Sequence, residues 1–237
     1  MARQTKDDVR FEIPLYTVAE AARFLAVPTS TFTTWTKGYE RRSAGRKTVH
    51  GDPIISCVSA GTGDPQIPFG GLAEGMVLAA MRRAGVSMQH IRAAVAILER
   101  DLGVEHALAS KRLYTDGARL LFDYAESTRE EDLEHLTVVV SGPRVFGGVV
   151  KDYLERITYA TDGWAERVIL PMTERSIIEV DPIRSFGQPI FLRGAVRVED
   201  VVDRWRAGEP IADVASDFGV PIEDIEDVLR ASVPAAA

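Results

Sequence analysis

Apolar and polar positions along the first third of the chain fall into a helical period, then lose it. Val18, Ala21, Ala22 and Leu25 repeat at the spacing of one helix face. Thr17 and Glu20 stand three apart in front of that stripe, the arrangement of a capping box that opens a helix. Ala26-Val27-Pro28 interrupts the pattern, and Pro28 suits the first turn of a second helix running Thr29 to Trp35. Phe32 and Trp35 are the apolar positions of that helix, and Gly38 ends it. Two short helices joined by a tight turn predict a helix-turn-helix. Residues 38–69 carry turn dipeptides around the β-prone run Ile54 to Ser59 and predict a wing, a β-hairpin beside that unit. Two helices follow, Leu72 to Ala84 and Ser87 to Leu102. The second shows a stripe of Ile91, Ala94, Val95, Leu98 and Leu102.

The middle of the chain changes period. Lys111 to Tyr124 predicts a hairpin around Asp116-Gly117. Leu136 to Val140, Val168 to Leu170 and Ile177 to Val180 predict short strands, and Val149 to Ile157 a helix face. The end returns to helical spacing. Gln188 to Val198 predicts an extended stretch. Helices are expected over Glu199 to Arg206, from Pro210 to about Asp217, and from Pro221 to about Arg230. The pattern Val18 to Pro28 aligns without gaps on Ile211 to Pro221, so a second helix-turn-helix is expected at the C-terminal end. The chain is thus expected to be α+β. Its parts are an N-terminal winged helix-turn-helix domain (1–103), a middle α+β module (104–185) and a C-terminal three-helix helix-turn-helix domain (186–237).

Charge separates the two similar shapes. The net charge of −7 hides an asymmetry, because residues 1–50 carry nine Lys+Arg against five Asp+Glu. The second helix of the first unit offers Thr29, Ser30, Thr31, Thr33 and Thr34, followed by Lys37. Small hydroxyls at a helix N-terminus bond phosphates or base edges. The wing adds Arg41, Arg42, Arg46 and Lys47, a patch whose binding to DNA depends on salt. These ten residues are the candidate DNA contacts, and a solvated basic loop is the plainer alternative. From Glu199 to Arg230 ten acids face three arginines, and the last helix carries Glu223, Asp224, Glu226 and Asp227. A phosphate backbone repels such a surface, so the second unit is expected to meet protein.

Chemistry for catalysis is not legible. His50, His90, His106 and His135 are scattered, and Cys57, in a β-prone run, reads as a small buried thiol. The glycines at 61, 63, 70 and 71 lack the Gly-Lys-Ser/Thr ending of a phosphate loop. No cofactor, metal or enzymatic activity is expected. A single cysteine, a polar start and no apolar run of about eighteen residues fit a cytoplasmic protein with no membrane contact.

Residues 16–100 resemble the winged helix-turn-helix of MerR-type regulators, including Arg82-Arg83-Ala84-Gly85-Val86-Ser87 in the helix pair. Those regulators usually carry a phosphate-holding Arg where this chain has Thr33. Gly187-Gln188-Pro189-Ile190-Phe191, Gly194-Ala195-Val196-Arg197-Val198 and Gly208-Glu209-Pro210-Ile211 resemble the C-terminal domain of a family of antitoxins. Gly194-Ala195-Val196 stands where that family has Gly-Thr-Arg. The whole layout is similar to a large VapB antitoxin. That resemblance implies two partners: a VapC-type toxin with a PIN-domain ribonuclease fold, and operator DNA bound by a homodimer. It also implies that an arginine enters the toxin's carboxylate cleft, for which Arg193, Arg197, Arg204 and Arg206 are the candidates. A stand-alone transcriptional regulator, whose middle module senses a ligand, remains the other reading.

Overall fold

A computed structural model describes residues 9–41, 49–61, 63–88, pairs of helical residues from 91 to 100, residues 103, 105–113, 153, 155–175 and 177–232. The expected strand at 136–140 lies outside the described residues. Of the expected hairpin at 111–124 only 111–113 are described, and they are helical rather than extended. Of the expected helix over 149–157 only 153 and 155–157 are described, and Ile157 is already in a strand.

Chain order begins with α1 (Val9–Glu12), β1 (Pro14–Tyr16), α2 (Val18–Phe24) and α3 (Thr29–Lys37). Thr17 caps α2 as its sequence demands: the Thr17 hydroxyl accepts from Glu20 N at 3.2 Å, and Glu20 Oε2 accepts from Thr17 N at 2.8 Å. Beyond α2 the chain turns at Ala26, which sits at φ 51°, and Val27 N donates to Ala22 O at 2.9 Å. Pro28 then precedes α3, which buries Phe32 and Trp35 and ends at Gly38.

The wing is a hairpin, β2 (Tyr39–Arg41) with β3 (Val49–Gly51), antiparallel with Tyr39 opposite Gly51. It lies closer to α3 than the sequence implies. The β-prone run Ile54 to Ser59 forms no strand, because its amides find other acceptors. Ile54 N and Ile55 N donate to Trp35 O, closing the end of α3, and Ser56 N donates to the Glu74 carboxylate.

Strand β4 (Ile67–Pro68) pairs with β1 and runs straight into α4 (Phe69–Arg83). That helix starts three residues before the expected Leu72, directly after Pro68. Every residue from Phe69 to Met81 is buried, so α4 is the floor of the N-terminal unit. Its glycines serve close approach. A Cβ on Gly75 would stand 2.8 Å from the Phe32 ring, and one on Gly71 would stand 2.4 Å from Ser56 O. Ile91 and Val95 of the following helical stretch are buried against this core.

Four antiparallel strands make the second layer in the order β5 (Ile157–Tyr159), β6 (Ala165–Ile169), β7 (Ile178–Val180) and β8 (Ile190–Phe191). The expected extended stretch 188–198 is this short strand followed by a tight return, with Phe191 N donating to Val196 O. The sheet joins strands from both sides of residue 185, where the sequence reading separates two units. Helices α5 (Val198–Arg206), α6 (Ile211–Phe218) and α7 (Ile222–Ser232) pack on one another through Val201, Val202, Val214, Ile225 and Val228. The sheet is tied to the N-terminal unit. Arg10 pairs with Asp162 at 2.5 Å, and the Tyr16 hydroxyl donates to Gly187 O at 2.8 Å.

Candidate functional site

Helix α3 presents its polar residues in two groups. Thr29 and Ser30 are exposed at its start, and Lys37 is exposed at its end beside the hairpin. A nine-residue helix separates these groups by roughly 12 Å. Pro28 supplies no side-chain cap, so the first-turn amides have no side-chain acceptor. Thr31, Thr33 and Thr34 are half-buried. The Thr33 hydroxyl donates to Thr29 O at 2.8 Å and the Thr34 hydroxyl to Ser30 O at 2.9 Å. These two hydroxyl hydrogens are therefore engaged within the helix, and only their lone pairs face outward. A phosphate needs donors, which leaves Thr29, Ser30, the free amides and Lys37 as the suited groups.

The hairpin beside α3 is held by a residue that charge counting did not single out. The Arg92 guanidinium lies over the Tyr39 ring at 5.7 Å and donates to Asp52 O. Gly38, at φ 74°, lets the strands close, since a Cβ there would stand 2.3 Å from Gly51 O. Arg41 closes β2 opposite Val49. Its side chain, and Arg42, Arg46 and Lys47, lie outside the described residues.

Beneath the hairpin sits a polar cluster that the sequence left unconnected. Glu74 is 3% exposed in the middle of α4. Its carboxylate accepts from Ser56 N at 2.6 Å and from the Ser56 hydroxyl at 2.9 Å, and His106 Nδ1 stands 3.0 Å away. The His106 ring stacks on Phe11 at 4.3 Å. Burial pulls the His106 pKa down, but the hydrogen bond and charge of Glu74 outweigh it and hold the value above 6.5. Glu74 and His106 are 32 residues apart, and no local spacing could join them. The cluster fastens the 54–58 loop to α4. No group of three His, Cys, Asp or Glu side chains among the described residues could hold a metal ion. Cys57, expected to be buried, is exposed, because the loop turns Ile55 inward and the thiol outward.

The four C-terminal arginines stand in different surroundings. Arg204 is locked inside its own unit. Its Nε lies 2.9 Å from both Glu209 carboxylate oxygens, one terminal nitrogen reaches Asp217 at 2.8 Å, and the guanidinium covers the Phe218 ring at 5.1 Å. Arg197 pairs with Glu199 at 2.5 Å, and Arg206 with Asp203 at 3.6 Å. Arg193 is exposed on the return after β8. Arg193 has no acid within ion-pair distance among the described residues.

Arg175, which the sequence reading passed over, reaches Asp227 at 2.5 Å and the buried Asp224 at 3.1 Å. The acidic face of α7 is therefore half-neutralised from within. Glu223 and Glu226 are exposed. A cavity of about 350 Å³ opens between α2 and α5, with Arg23, Arg197 and Arg206 on its rim. No described helix is long and apolar enough to cross a membrane.

Residues 14–95 match a family described as "Putative DNA-binding HTH domain", and residues 178–230 match one described as "Protein of unknown function (DUF433)". The chain is 44% identical over 237 residues to the "Putative antitoxin VapB45" of Mycobacterium tuberculosis, covering 98% of this chain and 99% of the relative. It is 25% identical over 219 residues to "Uncharacterized protein Rv2308" of the same organism, covering 91% and 88%. The crystal structure of Rv2018 from Mycobacterium tuberculosis superposes with a TM-score of 0.77 at 41% identity, covering 93% of this chain and 99% of that one. The helix-turn-helix α2–α3 lies within the matched DNA-binding segment, and with near-complete coverage at this identity the chain belongs to the VapB45-type family of antitoxins.

Proposed function

We propose that this chain inhibits a VapC-type PIN-domain ribonuclease toxin and autoregulates its own operon by binding operator DNA as a two-fold dimer. The carrying observation is the segregation of charge between two helix-turn-helix units with the same turn. The N-terminal unit carries hydroxyls and a net +4 over residues 1–50, while the C-terminal unit carries ten acids from 199 to 230. DNA affinity then resides in Thr29, Ser30 and Lys37 of α3 and in Arg41, Arg42, Arg46 and Lys47 of the hairpin, while Thr31, Thr33 and Thr34 flank that surface with their hydroxyls turned to the helix or half-buried. The matched DNA-binding family over 14–95 supports this half. A two-fold dimer suits operators, whose half-sites are related by the same symmetry.

The toxin-facing half rests on the name carried by the 44% identical relative and on the arginines of the last unit. A PIN-domain cleft holds clustered carboxylates, and a guanidinium fork matches them. Arg197, Arg204 and Arg206 already engage acids of this chain, so we assign the cleft-blocking role to Arg193, with Arg197 and Arg206 at the edge of the contact.

Co-expression with a PIN-domain toxin encoded by the neighbouring gene tests the reading. The expected result is a co-purifying complex in which RNA cleavage is suppressed, and restored cleavage with Arg193→Ala. A chain that binds operator DNA but captures no such toxin would make it a stand-alone regulator instead.

A further inference from the structure

The turn between α2 and α3 is gripped by a side chain from another element. Arg83, the last residue of α4, donates from Nη2 to Leu25 O at 2.9 Å and to Ala26 O at 3.2 Å. Leu25 and Ala26 stand at the end of α2, where carbonyls lack partners within the helix. The other terminal nitrogen, Nη1, donates to the Tyr153 hydroxyl, and the guanidinium carbon stands 5.1 Å from the centre of the Tyr153 ring. Tyr153 is fastened in turn to the sheet. Arg156 N donates to Tyr153 O at 3.2 Å, and Ile169 N of β6 donates to Arg156 O at 2.8 Å. The Arg156 guanidinium carbon lies 5.6 Å from the centre of the same ring.

The C-terminal copy of the turn closes with no arginine on it. Phe218 and Gly219 hold the places of Leu25 and Ala26 in the aligned pattern. Their carbonyls lie against Gly194, where a Cβ would come within 2.6 Å of Phe218 O and 3.3 Å of Gly219 O. That turn closes through Val220 N to Ala215 O, as the first closes through Val27 N to Ala22 O. The Arg83 bonds are therefore not what makes the turn. They fix where it sits against α4, and α3 starts three residues after Ala26 at Thr29.

We propose that Arg83 is the positioning residue of α3 and that Tyr153 aims it, so that DNA affinity depends on a contact made by the part of the chain that carries the sheet. A guanidinium is planar and holds its nitrogens at fixed angles. With Nη1 held on the Tyr153 hydroxyl, Nη2 is directed at the two turn carbonyls. A shift of Tyr153 with β6 thus reaches the start of α3 through one ring and one guanidinium. The consequence for affinity rests on the DNA-binding reading proposed above. The clamp itself does not.

Hydrogen exchange and DNA binding of the full chain test it. Arg83 is exposed and Tyr153 half-buried, so their replacement leaves the core in place. Arg83→Met is expected to speed amide exchange over residues 27–37 about tenfold and to leave residues 214–220 unchanged. Its binding to a duplex from the promoter region of its own gene is expected to weaken about tenfold, with the slope of log affinity against log salt unchanged. A direct phosphate contact would instead flatten that slope by about 0.9. Arg83→Lys keeps a donor and is expected to recover part of the loss. Tyr153→Leu removes no charge and is expected to weaken binding about fivefold. The double variant is expected to lose no more than Arg83→Met alone, because both changes break one clamp. Unchanged exchange overturns the proposal. In a chain that binds the duplex, so does unchanged affinity, a flattened slope or losses that add. A wild-type chain that binds no such duplex, with exchange altered as expected in Arg83→Met, upholds the clamp and removes the DNA-binding reading.

Discussion

Ala26 and Gly219 occupy the same place in two copies of one turn. Ala26, at φ 51°, follows α2, and Gly219, at φ 63°, follows α6. In each case the next valine closes the turn: Val27 N donates to Ala22 O at 2.9 Å and Val220 N to Ala215 O at 3.1 Å. The sequence echo between Val18–Pro28 and Ile211–Pro221 is therefore an echo of geometry. One copy uses the residue that left-handed backbone prefers and the other does not. Ala26 is exposed, so no packing is lost on removing its methyl. Ala26→Gly is expected to stabilise the protein by about 0.5–1 kcal/mol and Gly219→Ala to destabilise it by about 1 kcal/mol. In a chain of this length each kcal/mol moves the melting temperature by roughly 2–4 °C, which calorimetry resolves.

Glu74 and His106 set a pH dependence whose sign follows from the pair. The folded-state pKa of His106 lies above its ordinary 6.5, because the hydrogen bond and charge of Glu74 overcome the opposing effect of burial. A raised pKa means that the folded state binds the proton more tightly than the unfolded state does. That contribution is fully present below about pH 6.5 and fades as pH rises through the raised value. Urea unfolding at pH 6 and at pH 9 is expected to show a decline in stability for the wild type that His106→Asn lacks. Glu74→Ala removes the acceptor of both Ser56 bonds and is expected to cost about 2–3 kcal/mol at pH 9, and more at pH 6, where the pairing with protonated His106 is lost as well.

The Tyr16 hydroxyl carries the connection between the N-terminal unit and the sheet. It is buried and donates to Gly187 O at 2.8 Å, and burial, with the charges of Asp181 and Glu20, pushes its pKa far above the ordinary value. The hydroxyl thus stays protonated and donating throughout the accessible pH range. Tyr16→Phe leaves the Gly187 carbonyl without that donor and is expected to cost about 1–3 kcal/mol in chemical denaturation.

Elements with short-range causes were legible in the chain. The Thr17–Glu20 box, the prolines at 28 and 210, and the stripes of α5, α6 and α7 all act within a few residues. The start of α4 was missed because apolar residues on every side of a buried helix give no periodic boundary. The run Ile54 to Ser59 was misread because β propensity cannot foresee that Trp35 and Glu74 will take its amides. At the candidate site, charge asymmetry pointed to α3 and the hairpin, but Arg92 and the Glu74–Ser56–His106 cluster depend on contacts 18 to 53 residues apart. The acidic count on α7 overstated its surface charge, since Arg175, 52 residues before Asp227, draws two carboxylates inward.

Thr33 offers the sharpest test of the DNA-facing surface. Its hydroxyl hydrogen is engaged with Thr29 O, and its position is the one that carries a phosphate-holding Arg in regulators of similar layout. Thr33→Arg gives up one internal bond on a half-buried site and adds a cation beside Ser30 and Thr34. If α3 lies against the phosphate backbone, one added contact strengthens operator binding several-fold at low salt. It also steepens the slope of log affinity against log salt by about 0.9. Changing Lys37, Arg41, Arg42, Arg46 and Lys47 together to Ala is expected to act in the opposite direction and to flatten that slope by up to about 4.5. Fluorescence anisotropy across a salt series measures both. A slope that ignores Thr33→Arg and the five-alanine variant alike would remove the phosphate contacts from α3 and its hairpin.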